Sequence, residues 1–223
     1  MPAPLALIAL VASGLAAWRR ARRGRPRPAR AMIVSPPRST VIAHDGGVHS
    51  VQSAVITMAD EDLRRLWAPA NLENLGRTYW RFLSRVTLGL IRVVYDEDSR
   101  SVVLLARPLT LLRFGVPRYD LDHDRGTVTW QIRDGLLVAR GGRGSGWLSL
   151  DVYRMPAVAD ESRRQVKIEV EVANFYPAIA AGLSTPVYEM TQSLLHVLVT
   201  HAFLRSLATL RLDISRIGTL ARR

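Results

Sequence analysis

Two neighbouring stretches with different periods set the strongest limit on what this chain can fold into. In RRQVKIEVEVANFYP, Val166, Ile168, Val170 and Val172 alternate with Lys167, Glu169 and Glu171. That is the period of two of a strand with one face inward and the other in water. Shortly after, PVYEMTQSLLHVLVTHAFLRSLATL changes to a helical period, with Pro186 where a first helical turn accepts it. From Met190 to Leu210 the helix is apolar around much of its circumference. It must therefore be buried, against the sheet or partly over a cavity.

Upstream segments fit the same plan. VHSVQSAVITM reads as a strand, and ADEDLRRLW as a short helix with Asp60, Glu61 and Asp62 in its first turn and Pro69 ending it. NLENLGRTYWRFLSRV places Leu72, Leu75, Tyr79, Phe82, Leu83 and Val86 on one helical stripe. GLIRVVYDEDSRSVVLLARP predicts a hairpin turning at DEDSR, and Thr110 to Met155 predicts three or four more strands broken at Gly115, Pro117, Gly126, Gly135 and the 141–146 glycine cluster. The order is strand, two helices, about six antiparallel strands and one long helix.

That order resembles the START-like or SRPBCC superfamily, the helix-grip fold of polyketide cyclases and lipid-transfer domains. The stretches that carry the resemblance are VHSVQSAVITMADEDLRRLW, VTWQIRDGLLVARGGRGSGWLSLDVY and PVYEMTQSLLHVLVTHAFLRSL, across residues 48 to 210. The resemblance implies an α+β fold, a curved antiparallel sheet gripping the C-terminal helix around a cavity for an apolar ligand, with no fixed catalytic set. The cavity would be lined by one face of 136–138, 147–152 and 166–172 together with Met190, Leu194, Val197 and His201, while a solid core satisfies the same pattern. Tyr176 and His201 are the expected polar contacts to a guest, and Arg140 and Arg143 the expected rim.

Other motifs favour structure over chemistry. GGRGSG lacks the lysine-serine ending and following helix of a phosphate loop. DLDHDR has oxygen and nitrogen donors for a cation, but Gly126 directly after it favours a solvated hairpin turn. His196 and His201 lie about 140° apart on a helix, so at most one points inward. NFYP, from Asn174 to Pro177, is expected to plug one end of the sheet. No general acid-base pair emerges, and no catalytic residue, metal ligand or cofactor is assigned.

The N-terminus sets the expectation for location. Pro2 to Trp18 carries no charged side chain, and Arg19, Arg20, Arg22, Arg23, Arg25, Arg27 and Arg30 follow at once. As a helix the run spans roughly 25 Å, slightly less than the roughly 30 Å hydrocarbon layer. Charge after the run, not before it, opposes a cleaved signal and predicts a retained transmembrane helix with the arginines on the cytoplasmic side. These arginines supply much of the +12 net charge and are expected to face anionic lipid headgroups rather than nucleic acid. The expected division is an anchor at 1–18, a basic Pro/Arg-rich linker at 19–40, a START-like domain at 41–212 and a basic tail at 213–223. The expected protein is a single-pass inner-membrane module that presents a cytoplasmic domain to an apolar small molecule or lipid. The alternatives are an adaptor that meets a membrane-protein partner in an envelope or transport complex, and a cyclase/aromatase-like enzyme. The absence of cysteine excludes disulfides and thiolate metal sites.

Overall fold

The alternating segment forms the strand on which the sheet is centred. In the computed structural model, which describes residues 3–21, 23–24, 26–35, 39–105, 109–156, 162–178 and 185–214 with the side chains of 3–8 and 185–195 excepted, this strand is Arg163–Phe175. In chain order the elements are α1 (Ala3–Ala21), β1 (Arg30–Ile33), β2 (Thr40–Ile42), β3 (Val48–Ala59), α2 (Asp60–Leu66), α3 (Pro69–Val86), β4 (Ile91–Tyr95), β5 (Ser99–Leu104), β6 (Thr110–Gly115), β7 (Arg118–Leu121), β8 (Arg125–Asp134), β9 (Gly146–Arg154), β10 (Arg163–Phe175) and α4 (Thr185–Ser206). The strands make one antiparallel sheet in the order β1-β3-β10-β9-β8-β6-β5-β4, with β2 also on β3 and β7 also on β8. Among the described residues no strand pairs β4 back to β1, so the curved sheet is open and not a barrel. The first strand comes from the stretch expected to be linker, and the second begins at its last residue, Thr40.

Each face follows from the period-two pattern. Val166, Ile168 and Val170 point inward and are buried. On the other face Lys167 pairs with Glu169 at 2.8 Å and His49 with Glu171 at 2.9 Å, so the carboxylates that alternate along β10 belong to the outer surface. DLDHDR is the β7–β8 turn, where Asp122 Oδ1 accepts the backbone N–H groups of Asp124 and Arg125 at 2.7 Å each.

The inner face is covered by helices. Pro69 opens α3, where its missing N–H costs no helical bond. Leu72, Leu75, Tyr79, Phe82 and Val86 form the buried stripe of α3. Phe203 of α4 is fully buried, with its ring edge-on to Tyr79 at 5.1 Å and close to Phe82 at 5.8 Å.

The N-terminal expectation is overturned. Among the described residues no helix is long and apolar enough to cross a membrane. The uncharged run does form a helix, α1, but one face of it is core: Val11 and Leu15 are buried, and the Trp18 ring stacks edge-on to Phe82 at 5.2 Å. Ala12, Ser13, Ala16 and Ala17 make up its exposed face, and alanine and serine offer too little apolar surface to favour lipid. A transmembrane anchor, an inner-membrane single-pass topology and a membrane-anchored function are therefore not supported. Neither is a partnership of the arginines with anionic lipid. Arg19 and Arg20 end α1, Arg23 and Arg27 are exposed, Arg30 begins β1 opposite Thr57, and Arg22 and Arg25 lie outside the described residues.

Gly14 sets the α1–α3 distance, because a Cβ there would run into the Val86 carbonyl oxygen. Gly14→Val should force the helices apart and destabilise the domain by roughly 1–3 kcal/mol, read as a lower midpoint in urea unfolding. An unchanged midpoint would mean that α1 is not docked as described.

Candidate functional site

The inner face of the sheet is not completely filled. A cavity of about 230 Å³ lies between the sheet, α3, α1 and α4. Val11 comes from α1, Tyr79, Trp80 and Leu83 from α3, Phe114, Leu148 and Val172 from the sheet, and His196 and Val199 from α4. Phe175 and Pro177 close one side. Asn174 reaches a positive φ of 49° beside the irregular end of the β10–β3 pairing, and the chain turns there from strand towards α4. An asparagine tolerates that left-handed conformation better than most residues.

The polar groups at the cavity divide into paired and unpaired. Thr40 Oγ1 and Ser50 Oγ are 2.8 Å apart and satisfy one another. Thr87 Oγ1 donates to the Leu83 carbonyl at 2.9 Å. His196 Nε2 and Trp80 Nε1 are buried with no hydrogen-bond partner among the described residues. Burial, and secondarily the nearby His201, pushes the His196 imidazole down from 6.5 to about 4, so it is neutral near pH 7. Burial pushes the Tyr79 phenol up to about 12, with Thr200 acting weakly the other way. No lysine, arginine, aspartate or glutamate lines the cavity among the described residues. The site can hold an apolar body beside the neutral His196 ring, whose Nε2, like the Trp80 indole N–H, presents almost no accessible surface, and among the described residues it has no counter-ion for a charged guest.

The residues singled out from sequence are placed as follows. Tyr176 is not at the cavity: its hydroxyl donates to Asp45 Oδ2 at 2.8 Å and its ring covers Gly142, tying the β2–β3 loop to the 140–142 turn. Arg140 and Arg143 are exposed on that turn, away from the lining. Met190 and Leu194 fall on the part of α4 whose side chains are outside the described residues. Val197 is half-buried and does not line the cavity. His201 turns to β3, where its Nε2 lies 2.7 Å from Gln52 Oε1. The Gln52 amide nitrogen donates to Ser39 and Ser50, so its oxygen is the acceptor and His201 Nε2 carries the proton. Of the two histidines the cavity takes His196, with Val199 one turn on. The spacing i, i+3, i+7 of His196, Val199 and Phe203 was the signal available in the sequence.

No family model matches the chain, and no curated protein matches it. Among solved structures, the ZhuI aromatase/cyclase from Streptomyces sp. R1128 is similar at 13% identity, with 72% of this chain and 92% of that one covered and a TM-score of 0.35. A conserved protein from Geobacillus kaustophilus is similar at 9% identity over 71% and 95% of the two chains, with a TM-score of 0.31. A protein from Arthrobacter aurescens is similar at 13% identity over 71% and 87%, with a TM-score of 0.33. At these identities and TM-scores the likenesses are distant and single out no family.

The buried imidazole makes stability depend on pH. The unfolded chain takes up a proton near 6.5 and the folded chain only near 4, so the folded state loses stability as pH falls through that window and is unaffected above it. Urea titrations across the window should show a steeper loss for the wild type than for His196→Gln. Parallel losses would mean that His196 is not buried in its neutral form.

Proposed function

We propose that this domain binds a small, uncharged, largely apolar molecule in the cavity under α4, with His196 as its polar contact. The observation that supports the reading is the cavity itself, with its apolar lining and the His196 ring at its wall. The cavity measures about 230 Å³. The volume lies below the roughly 300–1,000 Å³ of pockets for drug-sized ligands, which favours a guest of one or two rings or a short chain. A carboxylate or ammonium is disfavoured, since a buried charge without a partner costs several kcal/mol.

Binding without chemistry is the primary reading. A base with a pKa of about 4 has little driving force for proton abstraction near neutral pH. A cyclase-like proton transfer is the second reading, favoured by the one imidazole at the wall, and it would appear as turnover lost in His196→Gln while binding is retained.

Thermal shift and calorimetry with alkylphenols and their carboxylate analogues test the proposal. The phenols should raise the unfolding midpoint and the carboxylates should not. His196→Leu should weaken phenol binding about tenfold, the scale of one hydrogen bond to a buried group. No binding by any phenol, together with no small molecule extracted from purified protein, would reject it.

A further inference from the structure

The interior holds a second apolar cavity that the proposed site does not use. It is about 90 Å³ and lies at the other end of the sheet, lined by Met58, Leu72, Val152, Ile168 and Leu207 among others. The same elements serve both chambers in the same order. α3 gives Leu72 and Leu75 to the small chamber and Tyr79 and Leu83 to the large one, and β10 gives Ile168 to the small one and Val172 to the large one. The α4 stripe continues from His196 and Val199 in the large chamber to Leu207, just past its end, in the small one.

One cross-strand row separates them. Gln52 pairs with Val170, Val170 with Leu150, and Leu150 with Val128. All four are 0% exposed, and none lines either chamber. From the helix side Phe203, also 0% exposed and in neither lining, sits between Val199 and Leu207 on the stripe. Trp130 is packed so tightly against α3 that a Cβ at Gly76 would lie 2.9 Å from its ring.

We infer that this partition, with Phe203 as its helix-side member, sets the length of the ligand: the polar head sits at His196 and the tail runs along α4 until it meets the wall of Val199 and Tyr79 that Phe203 backs. The inference rests on the binding reading above and adds a specificity-determining residue and a ligand class, neutral molecules with one hydrogen-bonding head and an unbranched apolar tail. At 1.5 Å per residue, His196 and Phe203 are about 10 Å apart along the helix axis, and Leu207 lies about 6 Å further on. Removing the partition would join the chambers and admit a longer tail. Filling the large chamber would exclude all but shorter ones.

Calorimetry of the full chain with para-alkylphenols from ethyl to dodecyl tests this. In the wild type, affinity should rise about fourfold per added methylene and then fall sharply at one chain length. Phe203→Ala should move that cut-off to tails several methylenes longer. Phe203→Leu, which removes less volume from the core, should move it in the same direction if the alanine variant does not fold. Val199→Phe, which adds a ring to the cavity lining, should move it to shorter tails. A wild-type cut-off that stays in place in Phe203→Leu and Val199→Phe, both folded by circular dichroism, overturns the partition and leaves the binding site standing. No binding of any member by the wild type overturns the binding reading and the partition with it.

Discussion

Phe203 is the contact on which the arrangement depends. Its ring joins α4 to Tyr79 and Phe82 of α3, and both helices cover the inner face of a sheet whose two edges do not meet. A closed barrel holds its interior by backbone pairing all the way round. An open sheet must be held by side chains packed from one helix to another across its concave side. Core packing at 0% exposure and a nearby void of about 230 Å³ therefore occur on the same helix face, two turns apart.

The two histidines of α4 illustrate how the fold assigns different roles to one residue type. His201 meets a fully buried amide, and the bond satisfies both groups. Removing either would strand the other at a cost of about 1–3 kcal/mol. His196 lines the cavity, and its buried Nε2 has no hydrogen-bond partner among the described residues. A buried polar atom without a partner is uncommon, and a polar ring in an otherwise apolar wall is the kind of group that orients a guest.

Much of the fold was legible in the residues, and the N-terminus shows where legibility stopped. The strand at 163–175, the helix break at Pro69, the α3 stripe and the long last helix all follow from short-range periodicity. The same approach read Pro2 to Trp18 as an anchor because an uncharged run satisfies a membrane and a core alike. Val11, Leu15 and Trp18 at i, i+4 and i+7, with alanine and serine between them, are the pattern of a helix apolar on one side only. The small residue Gly14 fits within that stripe, where α3 comes closest. Choosing between the two environments needed the knowledge that α3 presents Phe82 and Val86 to that face.

The sequence by itself determined the class of fold and the faces: a period of two cannot sit still as a helix, and the last helix was too apolar to stay in water. Its expectation that at most one histidine of α4 points inward did not hold, because His196 lines the cavity and His201 reaches the inward-facing Gln52. Only the tertiary structure decided that α1 belongs to the core, that His196 and not His201 reaches the cavity, and that Tyr176 binds a loop. It alone decided that a row of four side chains from four strands separates two chambers. Those outcomes depend on the rotation of one helix over a sheet and on the register between strands far apart in the chain, and neither leaves a local mark in the residues themselves.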